Sequence, residues 1–352
     1  MAKRILVITT GGTIAMERDE AVGGAVPKLV GEDLLAAVPP DLAELEFEEH
    51  CHLPSAHFKL DTVWTLKERV AAAVAHSEVD GIVVTHGTDV MEESAYLLDL
   101  TVPGDKPMVF TGAMRTVSDL GYDGYANLAA AVRTAAADEA RGLGALVVMN
   151  DEIHAARFVT KTHTLSPATF KSLDFGALGR VDGDRVVIAQ RVTRNLVECQ
   201  AWEPNVVLIK LAVGMDESLL KYALEQGIRG VVLEALGGGR MPPWWLPTIR
   251  EAVERGVATA IASRCPSGRI WDGYGYAGAY KELHRLGTLF ADGLNGQKAR
   301  IRLMCVLGAA ERPEEVPELW TFGTTTAAPF SAAIDRLRSL GSRLLSSLQR
   351  ES

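Results

Sequence analysis

The chemistry this chain can offer is concentrated in three short turns: Thr10-Gly11-Gly12-Thr13-Ile14, Thr85-His86-Gly87-Thr88-Asp89 and Thr111-Gly112-Ala113-Met114-Arg115. Glycine permits tight turns and close backbone approach, which leaves N–H groups free to face a ligand. The first turn lacks the G-x-G-x-x-G spacing of a dinucleotide site and the G-K-[ST] of a phosphate loop. Hydroxyls at Thr13 and Thr88, with the carboxylate of Asp89 beside one of them, read instead as a nucleophile with a base. A neutral threonine attacks poorly until a base takes its proton. An ordinary aspartate, with a pKa of about 3.9, is a weak base. A lysine is a better one once burial has brought it down to near neutrality, at a cost of about 4 kcal/mol. Lys161, in Thr160-Lys161-Thr162, is the candidate. In isolation that triplet reads as a solvated surface lysine, and Thr10 and Thr13 read as end-of-strand hydroxyls capping a helix.

Other clusters point to structure. Glu49-His50-Cys51-His52 with His57 resembles a metal set, but zinc sites need three or four ligands and a supporting shell, and no matching set stands elsewhere. No metal is therefore expected. Glu92 and Glu93 fall at a helix start, where acids complement the dipole. Arg115 and Asp123 read as a structural ion pair, and Met241-Pro242-Pro243-Trp244-Trp245 as an apolar helix start or a subunit contact.

The elements that must carry these turns alternate. Strands are predicted at residues 4–10, 81–85, 107–111 and 145–149, and helices at 61–76, 92–100 and 125–141. Strand followed by helix, repeated, predicts a parallel sheet covered on both faces, and Ile82-Val83-Val84 is continuously apolar as such burial requires. In such sheets ligands bind beyond the carboxyl ends of the strands, where the three turns fall. A hairpin is predicted about Gly183-Asp184. The alternation then restarts, with strands at 206–211, 230–234 and 258–262 and helices at 217–226 and 246–255. The chain is thus expected to hold an N-terminal catalytic α/β domain (1–190), a linker (191–205), a C-terminal α/β domain (206–330) and an amphipathic helical tail (331–352).

The 352 residues exceed the usual size of one hydrophobic core, which fits two domains. Thirty-six Lys and Arg against 45 Asp and Glu give 36 − 45 = −9, a charge that repels phosphate backbones, so no nucleic-acid partner is expected. Cys51, Cys199, Cys265 and Cys305 lie far apart and form no CxxC pair, which fits thiols in a reducing compartment. The apolar run at residues 5–8 is shorter than a secretory core of roughly 7–15 residues. No stretch reaches the ~18 apolar residues of a membrane span, so a cytoplasmic protein without a membrane partner is expected.

TGGTI (10–14), THGTDVMEE (85–93), FTGAMR (110–115), DGYANL (123–128), VVMND (147–151) and VTKT (159–162) follow one another in an order that resembles the bacterial-type L-asparaginase family. The resemblance runs from about residue 3 to 322 and takes in GQKAR (296–300). It implies a larger N-terminal domain with a mostly parallel sheet flanked by helices, and a smaller C-terminal α/β domain. It implies hydrolysis of L-asparagine to L-aspartate and ammonia, with no metal or organic cofactor, in a homodimer or homotetramer. On its motifs Thr13 resembles the family's nucleophile, which forms an acyl-enzyme. Thr88, Asp89 and Lys161 resemble its proton relay, and Asp89 also its contact to the substrate ammonium. Ser55 resembles the serine that binds the substrate carboxylate, and Ala113 the residue whose carbonyl meets the substrate amide.

The chain departs from the family at three places. The family carries a tyrosine on a lid soon after the first threonine, whereas the stretch at 17–28 has none, and Tyr96 is the first tyrosine. The stretch at 267–280 lacks the glutamate that some members lend to a neighbouring subunit, with Tyr274 and Tyr276 as substitutes. Gly237-Gly238-Gly239 lacks a family asparagine. Rival readings are a glutaminase or dual-specificity enzyme, the amidase subunit of a tRNA-dependent amidotransferase, and a non-catalytic amino-acid sensor.

Overall fold

A computed structural model describes residues 2–29, 31–35, 38–271 and 273–321. The predicted tail at 331–352 lies outside the described residues. The chain forms strands β1 (Arg4–Thr9), β2 (Met16–Asp19), β3 (Gly24–Pro27), β4 (Glu44–Glu49), β5 (Gly81–Thr85), β6 (Met108–Thr111), β7 (Ala145–Met149) and β8 (Glu152–Ala155). They are followed by β9 (Val159–Lys161), β10 (Phe170–Ser172), β11 (Gly179–Asp182), β12 (Arg185–Ile188), β13 (Val206–Lys210), β14 (Gly230–Ala235), β15 (Ala258–Ser263) and β16 (Leu289–Phe290). The helices are α1 (Gly31–Leu35), α2 (Leu60–Ala75), α3 (Met91–Thr101), α4 (Gly124–Ala136), α5 (Ser218–Glu225), α6 (Leu246–Glu254), α7 (Tyr280–Arg285), α8 (Gly296–Ala309) and α9 (Val316–Trp320).

Eight strands make the large sheet, in the order β12-β11-β8-β7-β6-β5-β1-β4. From β4 to β7 it is parallel, and β8, β11 and β12 extend it antiparallel. Side chains alternate between its two faces, as a pleated strand requires. Val7, Val83, Val109 and Leu146 pack with Leu128 and Ala131 of α4. Ile8, Ile82, Phe110 and Val147 pack with Leu66 and Val70 of α2 and Leu98 of α3. Because both faces are covered, the central strands read as continuous apolar runs.

The hairpin at Gly183-Asp184 forms as expected, with Asp182 opposite Arg185. A second two-residue hairpin joins β7 to β8 through Asn150 and Asp151, both at positive φ, as a type I′ turn demands. The helix predicted at 125–141 ends at Ala136 instead. Ala137 is extended, and Asp138 to Ala140 start a separate turn that their acidic first residues favour.

The smaller sheet, β13-β14-β15-β16, is wholly parallel. Val231, Leu233 and Ile261 face Leu220 of α5 and Ile249 of α6. Val232 and Ala260 face Leu303 and Met304 of α8, and the same cluster takes in Tyr96, Leu97 and Leu100 of α3. Helix α8 is therefore the layer on which the two halves of the molecule meet. Among the described residues no helix is long and apolar enough to cross a membrane.

Candidate active site

Strands β1, β5 and β6 end level with one another, Thr9 opposite Thr85 and Thr85 opposite Thr111. Their exit turns therefore emerge side by side. Chain order reverses about β1, whose neighbours are β4 and β5, so the first turn opens at a switch point.

Thr13 begins a single 3-10 turn directly after Gly12, whose φ of 87° favours glycine. Gly12 rests on the second turn: a Cβ there would lie 2.5 Å from the Cα of Gly87. Gly87 in turn rests on Ser55, whose Oγ would be 2.6 Å from an added Cβ. Backbone packing of glycine on glycine thus brings the Thr13 and Thr88 turns together, with Ser55 against their side. Ala113 is buried beside Gly112. Gly112 lies on the second turn as well, where a Cβ would be 2.4 Å from the His86 carbonyl oxygen and 3.5 Å from Thr88 Cγ2.

Side chains make the closest links. Lys161, at the end of β9, places Nζ 2.9 Å from Thr88 Oγ1 and 2.7 Å from Asp89 Oδ1. Its side chain is only 17% exposed, whereas that of Asp89 is 62% exposed and open to a ligand. The solvated-lysine reading of the isolated triplet is thereby set aside. Ser55 Oγ accepts the Asp89 backbone N–H at 3.2 Å, which leaves its own proton free to donate.

His86 supports the turn from within. Its Nδ1 lies 2.7 Å from the Gly87 carbonyl oxygen, which can only accept, so Nδ1 carries the proton. Nε2 then accepts from Ser94 Oγ at 2.9 Å. Full burial pulls this imidazole down to about 4, so it stays neutral near pH 7.

Thr10, Arg115 and Asp123 act differently from the sequence expectation. Thr10 does not cap a helix. Its hydroxyl donates to the Thr85 carbonyl at 3.0 Å and stitches β1 to β5. Arg115 and Asp123 form no ion pair with each other in the described contacts. Asp123 instead accepts the backbone N–H groups of Met114 and Arg115 at 3.0–3.1 Å, and the Arg115 guanidinium donates to the Gly121 carbonyl at 2.9 Å. The carboxylate accepts from the backbone N–H groups beside it, and the guanidinium, which can only donate, turns to a carbonyl instead. His50 Nε2 lies 3.0 Å from the Thr62 carbonyl oxygen. Among the described residues no three His, Cys, Asp or Glu side chains gather as a metal site. Tyr274 and Tyr276 stand half-exposed on the smaller domain with ring centroids 5.5 Å apart.

Two supports escaped sequence reasoning. Asn127 donates to the Gly112 carbonyl at 3.0 Å and accepts the Asn150 N–H at 2.9 Å, tying the third turn to the β7–β8 hairpin. Its presence in the DGYANL motif was the available signal. Glu92 is buried and accepts from Thr160 Oγ1 at 3.0 Å and from Asn295 Nδ2 at 3.0 Å. It therefore ties the strand carrying Lys161 to the start of α8, beyond complementing a helix dipole.

Comparison with known proteins bears on this arrangement. Residues 4–194 match the family model described as asparaginase, N-terminal, and residues 205–320 match the glutaminase/asparaginase C-terminal domain. An L-asparaginase of Bacillus licheniformis is 34% identical over 312 residues, 88% of this chain and 97% of that protein. A glutaminase-asparaginase of Pseudomonas fluorescens biotype A is 30% identical over 328 residues, 90% of this chain and 89% of that protein. The crystal structure of a probable cytoplasmic L-asparaginase from Campylobacter jejuni superposes with a TM-score of 0.77 at 32% identity, covering 90% of this chain and 99% of the other.

Proposed function

This chain belongs to the asparaginase family, and we propose that it hydrolyses L-asparagine to L-aspartate and ammonia through a threonine acyl-enzyme. The observation that carries the reading is the contact of Lys161 Nζ with both Thr88 Oγ1 and Asp89 Oδ1. A binding protein needs no such hydroxyl–amine pair beside a second hydroxyl.

In this reading the Asp89 carboxylate holds the substrate ammonium, and the free proton of Ser55 meets its carboxylate. The Ala113 carbonyl accepts an N–H of the side-chain amide. Thr13 Oγ attacks the amide carbon while its proton passes toward the Thr88–Lys161 pair. Backbone N–H groups of the Thr88 turn stabilise the oxyanion, a contribution of about 3–4 kcal/mol per donor in comparable sites. Collapse expels the amide nitrogen, which leaves as ammonia after taking a proton from the relay. Water then attacks the ester carbon and gives one proton to the relay, aspartate departs, and that proton passes to Thr13 Oγ.

A glutaminase or dual activity is the second reading, favoured by the relative named glutaminase-asparaginase. One methylene in a pocket discriminates by only about 1–3 kcal/mol. We also propose a cytoplasmic enzyme that assembles as a homodimer or homotetramer. Cell fractionation that placed the protein outside the cytoplasm would overturn the location.

Ammonia release from asparagine and glutamine by the purified protein tests the reaction and ranks the substrates. Thr13→Ala should abolish turnover and Lys161→Ala should lower it by about a thousandfold or more, each with an unchanged circular dichroism spectrum. Retention of most activity by either variant would remove that residue from the mechanism.

A further inference from the structure

The tyrosine that reaches the Thr13 turn comes from far along the chain. Tyr122 Oη donates to the Ile14 carbonyl at 2.6 Å, 108 positions away in sequence and one residue beyond Thr13. The ring is wedged in place. It meets Tyr125 edge-on at 4.8 Å, and it lies so close over Gly124 that a Cβ there would be 2.1 Å from the phenol oxygen. Asp123, the next residue, is held by the N–H groups of Met114 and Arg115 and by Asn127 Nδ2 at 3.0 Å. The loop before it is braced too: Thr116 N–H and Oγ1 both donate to Asp119 Oδ2 at 2.8 Å.

The same loop grips the β2–β3 hairpin at alternate residues. Val117 N–H donates to the Met16 carbonyl at 3.1 Å, and Arg18 N–H donates to Ser118 Oγ at 2.9 Å. Met16 and Arg18 of β2, with Ile14 in the 3-10 turn just before it, thus all hold the loop through their backbones. The contact nearest Thr13 is the one supplied by a tyrosine hydroxyl. Burial raises the Tyr122 phenol above its ordinary range, so it remains a donor throughout the neutral and mildly alkaline region. The hairpin root is pinned from the other side by Lys28 and Leu29, whose N–H groups both donate to the Ala15 carbonyl at 2.9 and 3.1 Å.

We propose that Tyr122 is a positioning residue for Thr13. Its phenol clamps the Ile14 carbonyl, and so fixes the turn that bears the nucleophile, and the root of the β2–β3 hairpin, against the loop after β6. This inference rests on the reading of Thr13 as the attacking residue. It requires no contact between Tyr122 and substrate. Loss of the phenol oxygen alone should therefore leave substrate binding nearly intact while the attack becomes misaligned, because small displacements of a reacting group lower the rate steeply.

Tyr122→Phe is the decisive variant, since it keeps the ring and removes one oxygen. Tyr125→Phe is the control, because its half-exposed ring packs against Tyr122. Tyr122→Phe should lower kcat for asparagine about tenfold or more, change KM less than threefold, and leave the melting temperature within a few degrees. Amide exchange at Lys28, Leu29 and Val117 should quicken in that variant, and Tyr125→Phe should match the wild type in both measurements. A kcat within twofold of wild type overturns the proposal, whether or not exchange quickens, since faster exchange alone marks a merely structural contact. A fall in kcat that Tyr125→Phe reproduces also overturns it. If the wild-type protein releases no ammonia, the functional reading fails first, and exchange alone then decides whether the clamp exists.

Discussion

Burial makes His86 a structural group despite its place in the second turn. The imidazole is held neutral between a carbonyl and a serine hydroxyl, and its pKa has fallen to about 4. In the unfolded chain a histidine titrates near 6.5. Between those values the unfolded state binds the proton and the native state does not, so stability rises with pH across this window. The contribution is fully present above about 6.5 and is lost as pH falls toward 4, about 3 kcal/mol in all. Urea unfolding at pH 7 and pH 5 should show about 2 kcal/mol of that loss in the wild type and a smaller one in His86→Asn. Equal losses in the two proteins would mean that His86 is not buried neutral. Ser55 is set at the same scale: its Oγ accepts one backbone N–H, so its own proton stays available to donate.

At the scale of elements, strand ends and helix starts place the candidate residues. β9 carries Lys161, and its neighbours Val159 and Thr160 are held from the smaller domain. Lys298, fully buried in the first turn of α8, donates to the Val159 carbonyl and to the Arg157 carbonyl at 3.4 Å, and lies 3.5 Å from Glu92. Asn295 caps the same helix by accepting the Lys298 N–H at 3.1 Å while donating to Glu92. Burial lowers the Lys298 pKa, and Glu92 opposes that shift. Lys298→Met leaves the Glu92 carboxylate buried without its cation, which costs about 3–5 kcal/mol in comparable pairs. Chemical denaturation should reveal that loss, and turnover should fall with it as β9 loosens. A change under about 1 kcal/mol would show that the pair is dispensable.

Over the whole molecule, the segment between the sheets is bolted down rather than loose. Arg194 donates to Asp99 Oδ1 at 3.2 Å and to the Asp99 and Val102 carbonyls at 2.7 Å each, in a buried pair on α3. With α8 packed between α3 and the smaller sheet, the two halves share one polar and apolar seam. Trp244, Trp271, Tyr274 and Tyr276 stay exposed on the smaller domain, with Arg240 4.4 Å from the Tyr274 ring centroid. Aromatic and arginine side chains of this kind are enriched at protein interfaces, in keeping with the proposed assembly. Light scattering on the purified protein should give two or four times the 37.9 kDa chain mass. A mass equal to one chain at micromolar concentration would overturn the oligomer.

Local rules carried much of the reading. Short continuous apolar runs and the glycines that follow them were enough to mark the central parallel strands and the turns that leave them, because both depend on neighbours in sequence. The parallel edge strands β4 and β16 carry no such run and were not marked. The motif order likewise singled out Thr13, Thr88, Asp89 and Lys161. Other features were set by packing across the fold. Lys161 meets Thr88 across 73 positions, Tyr122 meets Ile14 across 108, and Glu92 meets Asn295 across 203. Such contacts follow from strand order and from how one domain seats on another, and no local period in the chain encodes either. For that reason Glu92 read as a helix-dipole residue until Thr160 and Asn295 were brought to it from elsewhere in the chain. Arg115 with Asp123 read as an ion pair for a local reason instead: backbone groups at residues 114, 115 and 121 of the same loop claim both side chains.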